Sequence, residues 1–462
     1  MLDAIKPPDA PVEYSYAKPK SHFRWWLGLG MLLLLMIGIF VGSKLVILAQ
    51  KIFEGEENQL SFRQFFIAPD KKLSGETRGE IRLLLMGIGG EKHDGGTLTD
   101  TMILATLQLP RDEGTDTKVS LVSIPRDLVV YIPGYDYRKI NSAYAFGESG
   151  GRRQGAKLAV QTVEQILDTD IPYYAVIDFA GFKKIIDDLS GIEIEVERGF
   201  TDAQYPDEQG GYLPPITFAA GRQKMDGDRA LQFVRSRHGN NGEASDFARA
   251  RRQQLLLKAL KNKATSLRVL TNLSLIDRLL DDLADHVRTN LRPHELKRLY
   301  GLTKSIENKN IRSLTIGYEG GLLCDVIADE TGAYVLVPCA GLGKYEALRE
   351  LIQNQFLAAA LQEEQPIIEI QNASGIGLLG QRVQSFLNLP LLKTAVSNYQ
   401  GEAAYQEGVI YDNTRGQKPE TLAYLQKTLG LRVAQSPFPF PTTTEKPDFV
   451  IVATADLQEK IP

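Results

Sequence analysis

Five arginines lie within one short stretch of this chain, between positions 235 and 252. They are Arg235, Arg237, Arg249, Arg251 and Arg252. A guanidinium group offers a fixed fork of donors that matches phosphate oxygens, and a helix N-terminus adds backbone N–H groups. The pattern therefore indicates a site for a multiply charged phosphate. The alternative is a solvated basic face, which is the commoner role of a charge run taken alone.

The later arginines belong to a segment with helical composition. Asp246 is a suitable N-cap, and Ala, Arg, Gln, Leu and Lys follow it without Gly or Pro. Residues three and four apart share one face of a helix, so we expect Arg249, Arg252 and Gln253 to lie together. Several guanidinium groups would then gather near one helix N-terminus.

The earlier arginines are in the segment FVRSR, which follows an apolar stretch. They are two residues apart, which is the spacing of one face of a strand. This spacing predicts that Arg235 and Arg237 point to one side of a sheet. The preceding DGDRA, residues 226–230, is typical of a helix start capped by Asp. Two arginine pairs separated by a Gly/Asn-rich loop favour a binding site over a solvated surface.

The N-terminal part of the chain indicates a membrane anchor. Trp25 to Gly42 carry no charge, and LVILA continues the apolar run, which is long enough to span a bilayer. The basic residues Lys18, Lys20 and Arg24 precede it, so the positive-inside rule leaves the N-terminus in the cytoplasm. A cleaved signal is disfavoured because no small-x-small site follows. We expect a single-pass protein of the cell membrane whose bulk is extracytoplasmic.

The composition fits an anchored globular protein. The chain has 462 residues, 43% hydrophobic, with a net charge of -4, enough for two or three domains. The near-neutral balance argues against nucleic acid as a partner. Five His and two Cys leave no room for a Cys/His zinc cluster. Cys324 and Cys339 flank an apparent hairpin, either as a disulfide or as two reduced thiols.

We expect five parts along the chain. They are a cytoplasmic tail (1–24), a transmembrane helix (25–49), a connector (50–78), a large α/β domain (79–357) and a small β-α-β-α-β domain (366–462). Within the large domain we expect strands at 81–88, 102–109, 119–125, 173–179 and 192–197, and helices at 155–167 and 180–188.

Eight sequence pieces in fixed order resemble the LytR–CpsA–Psr cell-wall ligases. They are LLLMGI, LTDTMILATL, LVSIPRDLVVYIP, KINSAYAFG, YYAVIDFAGF, DLSGIEIEV, MDGDRALQFVRSR and DFARARRQQ. The segment opening with EIQNASGIGLLG is similar to the accessory LytR-type C-terminal domain that often follows. The resemblance implies an α/β layered fold with a central mixed sheet flanked by helices.

The resemblance also implies an activity and its residues. Members transfer a glycopolymer from a polyprenyl pyrophosphate carrier to a peptidoglycan sugar hydroxyl, with Mg²⁺ or Mn²⁺ beside the pyrophosphate. By motif position, the implied metal ligand is Asp100. The implied pyrophosphate-binding residues are Arg126, Arg235, Arg237, Arg249 and Gln253, and the implied catalytic residues are Arg126, Asp246 and Arg249.

One departure from the family pattern concerns the metal. Gly89 stands where an Asp is expected after the first strand, and Asp94 or His93 in the following loop are the candidate replacements. Two alternatives to the ligase therefore stay open. One is a non-catalytic wall-binding or regulatory protein on the same fold, and the other is a phosphatase that acts on the lipid pyrophosphate.

Other polar residues have simpler structural interpretations. Asp127 is expected to lock Arg126, and Asp178 to cap the following helix. Lys139 is assigned equally to the pocket rim or to a turn. A polyprenyl tail needs an apolar tunnel, for which helices 155–167 and 250–260 are the candidates.

Overall fold

A computed structural model provides the coordinates of the chain. It describes residues 71–90, 93, 95–110, 116–149, 154–207, 211–264, 266, 286–317, 321–328, 332–387, 392–399, 401 and 405–461. The expected cytoplasmic tail, the transmembrane helix at 25–49 and most of the connector lie outside these residues. Within the described ranges, no helix has both the length and the apolar character needed to cross a bilayer.

The larger part contains both strands and helices. In chain order they are β1 (Glu80–Ile88), β2 (Thr99–Gln108), β3 (Lys118–Ser123), β4 (Val129–Ile132), β5 (Asp136–Lys139), α1 (Ser142–Glu148), α2 (Gly155–Leu167), β6 (Tyr173–Asp178), α3 (Phe179–Asp188), β7 (Ile192–Val196), β8 (Phe200–Asp202), β9 (Ile216–Phe218), β10 (Gly221–Met225), α4 (Gly227–Arg235), α5 (Asp246–Ala264), β11 (Val287–Thr289), α6 (Pro293–Thr303), β12 (Ile311–Thr315), β13 (Leu323–Ile327), β14 (Tyr334–Pro338), α7 (Glu346–Gln353) and α8 (Gln355–Glu364).

A six-stranded mixed sheet forms the centre, in the order β11-β6-β1-β2-β3-β12. Strand β1 pairs parallel with β6 and antiparallel with β2, and β12 pairs parallel with β3. Side chains alternate between the two faces because successive residues of a strand point in opposite directions. The mixed α/β architecture expected from the sequence is confirmed.

The two faces of this sheet have different surroundings. Leu84 and Met86 of β1 point into the main core, which the apolar face of α2 also fills through residues such as Val163. Their neighbour Leu85 points to the other face, where it lies opposite Ile103 and Ala175. Helix α2, at the residues expected for a helix, therefore does not line the cavity described below, contrary to the expectation for 155–167.

The arginine segment FVRSR is not a strand, which corrects the sequence expectation. Residues Gly227–Arg235 form helix α4, capped by Asp226, whose side chain accepts a hydrogen bond of 2.8 Å from the backbone N of Arg229. Apolar residues at helical spacing, Ala230, Phe233 and Val234, bury one face of α4 in a core shared with β7 and β10. Arg235 ends the helix, and Arg237 lies in the loop beyond it.

The C-terminal part has its own sheet and core. Its elements are β15 (Ile367–Asn372), α9 (Leu379–Phe386), β16 (Lys393–Asn398), β17 (Val409–Asp412), α10 (Pro419–Leu429), β18 (Arg432–Val433), β19 (Phe449–Ala453) and α11 (Leu457–Lys460). The sheet order is β16-β15-β19-β17-β18. The expected β-α-β-α-β pattern omitted β17 and β18, so five strands replace the three expected ones.

Helix α8 connects the two parts. The side chain of Gln362 accepts a 2.7 Å hydrogen bond from the backbone N of Thr315 and donates one of 3.1 Å to its carbonyl. Glu364 accepts hydrogen bonds from the backbone N–H groups of Glu420 and Thr421 at the start of α10. Edge strand β12 and the C-terminal part are thus held by neighbouring residues of one helix.

Of the two alternatives for the cysteines, the disulfide is present. Cys324 and Cys339 form a bond that closes the β13–β14 hairpin. The backbone N of Leu336 in this hairpin donates a 3.0 Å hydrogen bond to the carbonyl of Asp127. The hairpin therefore supports the backbone next to Arg126.

Candidate functional site

A cavity of about 620 Å³ lies between the central sheet and helices α3, α4 and α5. Its inner part is apolar. The sheet contributes Leu85, Ile103, Ala175, Ile177 and Val287, and the helices contribute Phe182, Ile185, Leu231, Val234, Leu256, Leu257 and Leu260. Segment 250–260 therefore lines the cavity, as the sequence predicted.

The polar part of the same cavity holds most of the residues singled out in the sequence. They are Asp100, Arg126, Arg235, Arg237, Arg249 and Gln253. Asp246 is the first residue of α5, but its side chain is outside the described part of the structure, as is Asp94. The tertiary structure brings together four arginines from three separate segments of the chain.

The carboxylate of Asp127 contacts two of these arginines, Arg126 and Arg237. One of its oxygens, Oδ2, lies 3.5 Å from Nε of Arg126 and 3.8 Å from Nη2 of Arg237, and Oδ1 accepts a 2.7 Å hydrogen bond from Lys139. Burial raises the pKa of Asp127, but the hydrogen bond from Lys139 and the three nearby cations outweigh it and hold the pKa below its usual value. The expected pairing of Asp127 with Arg126 is confirmed, as an ion pair and not as a hydrogen bond.

Asp100 and Arg126 contact each other at the polar end of the cavity. Nη1 of Arg126 donates a hydrogen bond to Oδ1 of Asp100. Both side chains are about a quarter exposed, with 28% for Asp100 and 24% for Arg126. They remain accessible to a ligand because neither is sealed in the core.

Arg235 is held by aromatic side chains and an imidazole. Its guanidinium lies over the ring of Phe179, 4.4 Å from the centroid, and Nη1 is 3.5 Å from the hydroxyl of Tyr205. Nη2 of Arg235 lies 3.1 Å from Nε2 of His93. Burial raises the pKa of Tyr205, against the opposing effect of Arg235. These contacts place the guanidinium in one orientation, facing the cavity.

The loop that carries Arg237 is fixed by Asp202, which the sequence analysis missed. Oδ2 of Asp202 accepts hydrogen bonds from the backbone N of Arg237, at 3.1 Å, and of His238, at 3.2 Å. Burial raises the pKa of Asp202, but the hydrogen bonds it accepts outweigh this effect and lower the pKa. A single Asp at the end of a short strand has no sequence signal that would have identified it.

Helix α5 separates its polar residues into two groups. Arg249, only 8% exposed, and Gln253 line the cavity, and Nε2 of Gln253 donates a 2.9 Å hydrogen bond to Oγ1 of Thr101. Arg252 instead points into the protein, where it binds Glu243 and the carbonyls of Phe233 and Ser236. The expectation that Arg252 shares the face of Arg249 and Gln253 is wrong.

The cap of α5 is also different from the expected one. The helix begins at Asp246, but the side chain that caps it belongs to the preceding residue. Oγ of Ser245 accepts a 3.1 Å hydrogen bond from the backbone N of Ala248. By contrast, Asp178 caps α3 as expected, accepting a 2.7 Å hydrogen bond from the backbone N of Gly181.

The arrangement suits a ligand with an anionic head and a long apolar tail. Four guanidinium groups and an amide line one end of the cavity, and such groups can donate hydrogen bonds to phosphate oxygens. The adjoining apolar cavity removes hydrocarbon from water. Among the residues that the structure describes, no group of three His, Cys, Asp or Glu side chains forms a metal site by itself.

Residues 48–337 match the LytR_cpsA_psr family, and the chain belongs to this family. It is 30% identical over 328 residues to the polyisoprenyl-teichoic acid–peptidoglycan teichoic acid transferase TagU of Oceanobacillus iheyensis, covering 68% of this chain and 92% of that protein. It is 29% identical over 249 residues to the regulatory protein MsrR of Staphylococcus aureus, covering 53% of this chain and 67% of that protein.

Among solved structures, the chain is similar to TagV of Bacillus subtilis. The sequence identity is 28%, the TM-score is 0.44, and the match covers 60% of this chain and 96% of TagV.

Proposed function

We propose that this protein is a phosphotransferase that moves a glycopolymer from a polyprenyl pyrophosphate carrier to a sugar hydroxyl of peptidoglycan. The observation that carries this proposal is the union, in one cavity, of four arginines and an apolar interior. A soluble sugar phosphate would have no use for the apolar interior, and a lipid without phosphate would have no use for the arginines.

The arginines supply the electrostatic part of the reaction. Phosphoryl transfer needs the negative charge of the leaving pyrophosphate neutralised and needs little covalent help from the protein. Arg235 and Arg237 are oriented by aromatic, backbone and Asp127 contacts within the protein. Donors that are already oriented spend no free energy on reorganisation during the reaction.

The apolar interior would hold the first isoprene units of the carrier. Its volume of about 620 Å³ is within the usual range for a ligand site, roughly 300–1,000 Å³. It is bordered by the sheet on one side and by α3, α4 and α5 on the other, so the tail enters between them. The lipid then fixes the pyrophosphate beside Arg126 and Arg249.

A divalent cation fits the site in combination with the substrate. Asp100 offers a carboxylate whose Oδ1 contacts Arg126, and Gly89 supplies no second carboxylate. Mg²⁺ is commonly held by one or two carboxylates together with substrate phosphates. We therefore assign Asp100 as the protein ligand of Mg²⁺ or Mn²⁺, which would add positive charge next to the pyrophosphate.

The membrane supplies the donor, and we propose that residues 25–49 anchor the chain there with residues 1–24 in the cytoplasm. The basic residues before the apolar run support this orientation. Protease added to intact spheroplasts should digest the large extracytoplasmic part and leave a small N-terminal fragment. Protection of the whole chain would contradict the proposed topology.

The activity is tested with a synthetic polyprenyl pyrophosphate-disaccharide and peptidoglycan fragments. We expect formation of a glycan-peptidoglycan phosphodiester together with release of polyprenyl monophosphate. A lipid pyrophosphatase would instead cleave the donor at the same rate without acceptor. Donor binding without turnover under any metal condition would favour the regulatory alternative.

A further inference from the structure

A second, smaller cleft of about 40 Å³ opens next to the candidate site. The ends of β2, β3 and β12 form it together with α5 and the β13–β14 hairpin. Its walls include Ser123, Thr315, Gly317 and Leu336. Four residues line both this cleft and the large cavity, namely Asp100, Thr101, Arg249 and Gln253.

The order of strands places the two cavities on opposite sides of these shared residues. In the sheet β11-β6-β1-β2-β3-β12, the large cavity uses β11, β6, β1 and β2. The small cleft uses β2, β3 and β12. Strand β2 is their common border, and it carries Asp100 and Thr101.

We propose that the small cleft admits the acceptor hydroxyl, which rests on the proposed function. In phosphoryl transfer the attacking and leaving oxygens lie roughly in line across the phosphorus. When the lipid occupies the large cavity, its departing phosphate lies on that side of the shared residues. The acceptor oxygen must then approach from the other side, where the small cleft opens.

The proposed transfer forms one bond to phosphorus and breaks another. The acceptor oxygen forms a new bond to the phosphorus that carries the glycan. The bond from this phosphorus to the bridging oxygen of the pyrophosphate breaks, and its electron pair leaves with the polyprenyl phosphate. The hydroxyl proton ends on this lipid monophosphate or, after the monophosphate ionises, in water.

The size of the cleft limits what enters. At about 40 Å³ it is far smaller than the large cavity of about 620 Å³, so it suits a short hydroxyl-bearing arm and has no room for the lipid tail. Polar groups are available, since the hydroxyls of Ser123 and Thr101 belong to the wall. Ser123 accepts a 3.3 Å hydrogen bond from Gln254, which leaves its own proton to donate.

The walls of the cleft are held by contacts outside it. Both backbone polar groups of Thr315 are bound by Gln362 of α8, at 2.7 and 3.1 Å. Leu336 belongs to the disulfide-closed hairpin, and its backbone N contacts the carbonyl of Asp127. These contacts hold two walls of the cleft in place without help from a bound acceptor.

A thiol placed at Thr315 tests the proposal in protein that has already folded. The two natural cysteines form the disulfide, so the full-length Thr315→Cys variant has a single free thiol. Its activity is compared before and after labelling with a benzyl methanethiosulfonate, so the unlabelled variant is the reference. Labelling should then raise the KM for a peptidoglycan disaccharide by about tenfold or more, with the affinity for the synthetic donor within about twofold.

Two controls separate the possible outcomes. Thr217→Cys places the same label on an exposed strand residue outside both cavities and should leave both substrates unaffected. Ala175→Phe fills the large cavity alone and should weaken donor binding without changing the acceptor KM.

An unchanged acceptor KM in the labelled Thr315→Cys protein overturns the cleft assignment. Unlabelled wild-type protein that consumes no donor would instead contradict the proposed function.

Discussion

The imidazole of His93 occupies the space in which a side chain at Gly89 would lie. A Cβ atom at position 89 would be 2.9 Å from Cβ of His93 and 3.2 Å from Cα of Gly96. From this position, Nε2 of His93 contacts Nη2 of Arg235 at 3.1 Å. Gly89 thus leaves room for an imidazole that contacts Arg235, one of the arginines proposed to bind pyrophosphate.

Gly89→Ala should therefore displace His93 and disrupt its contact with Arg235, so that the guanidinium is held less firmly. We expect a loss of stability of about 1–3 kcal/mol from crowding, together with slower transfer. Adding His93→Gly should recover part of this stability, because it removes the closer contact while that with Gly96 remains. Thermal unfolding and transfer rates of the two single variants and the double variant form the necessary cycle. Strictly additive effects would show that the two positions are independent.

Arg237→Ala should reduce transfer strongly while the protein remains folded. The loss of one charge-assisted contact costs roughly 1.5–3 kcal/mol, which slows transfer about 10- to 150-fold. Arg237→Lys should restore little, because an ammonium lacks the planar fork of donors. The control is Arg222→Ala, since the Arg222 side chain is 76% exposed and outside the cavity. Normal turnover by Arg237→Ala would remove it from the site.

Arg252→Ala should lower the free energy of unfolding. Its side chain is 2% exposed and pairs with Glu243, which is 3% exposed. Removal of one partner leaves a buried carboxylate, which costs about 3 kcal/mol, the low end for buried pairs, because Arg251 still contacts Glu243. Urea unfolding measures this loss. An Arg252→Ala protein as stable as wild type but inactive would indicate a role in the cavity instead.

Asp127→Asn should change the pH dependence of stability. The pKa of Asp127 is lower in the folded protein than its ordinary value of 3.8. Its ionised form therefore stabilises the fold above that value, and this stabilisation is lost as the pH falls through the folded-state pKa. We expect the variant to lose roughly 1.5–3 kcal/mol at pH 7, and the difference from wild type to shrink in acid. Urea unfolding at neutral and acidic pH provides the measurement.

Local sequence patterns were sufficient to predict many of the helices and strands. The apolar periodicity of Gly155–Leu167 and the runs at Glu80–Ile88 and Tyr173–Asp178 specify their elements directly, since one face of each is buried. Capping by Asp178 also depends only on neighbouring residues. The short strand Val409–Asp412 was missed because four residues carry too little periodicity, and its pairing partner, β19, lies about 40 residues away in sequence.

The sequence alone also identified the arginines, through their types and their order in family motifs. It did not determine which of them face a ligand. A helix with arginines at 249, 251 and 252 has no face assigned until its neighbours pack, and here Glu243 and Phe233 turn Arg252 inward. The contact of His93 with Arg235 joins residues 142 positions apart, and the border of two cavities at β2 follows from strand order. Such relationships arise only when distant segments pack together, because short-range propensities contain no information about them.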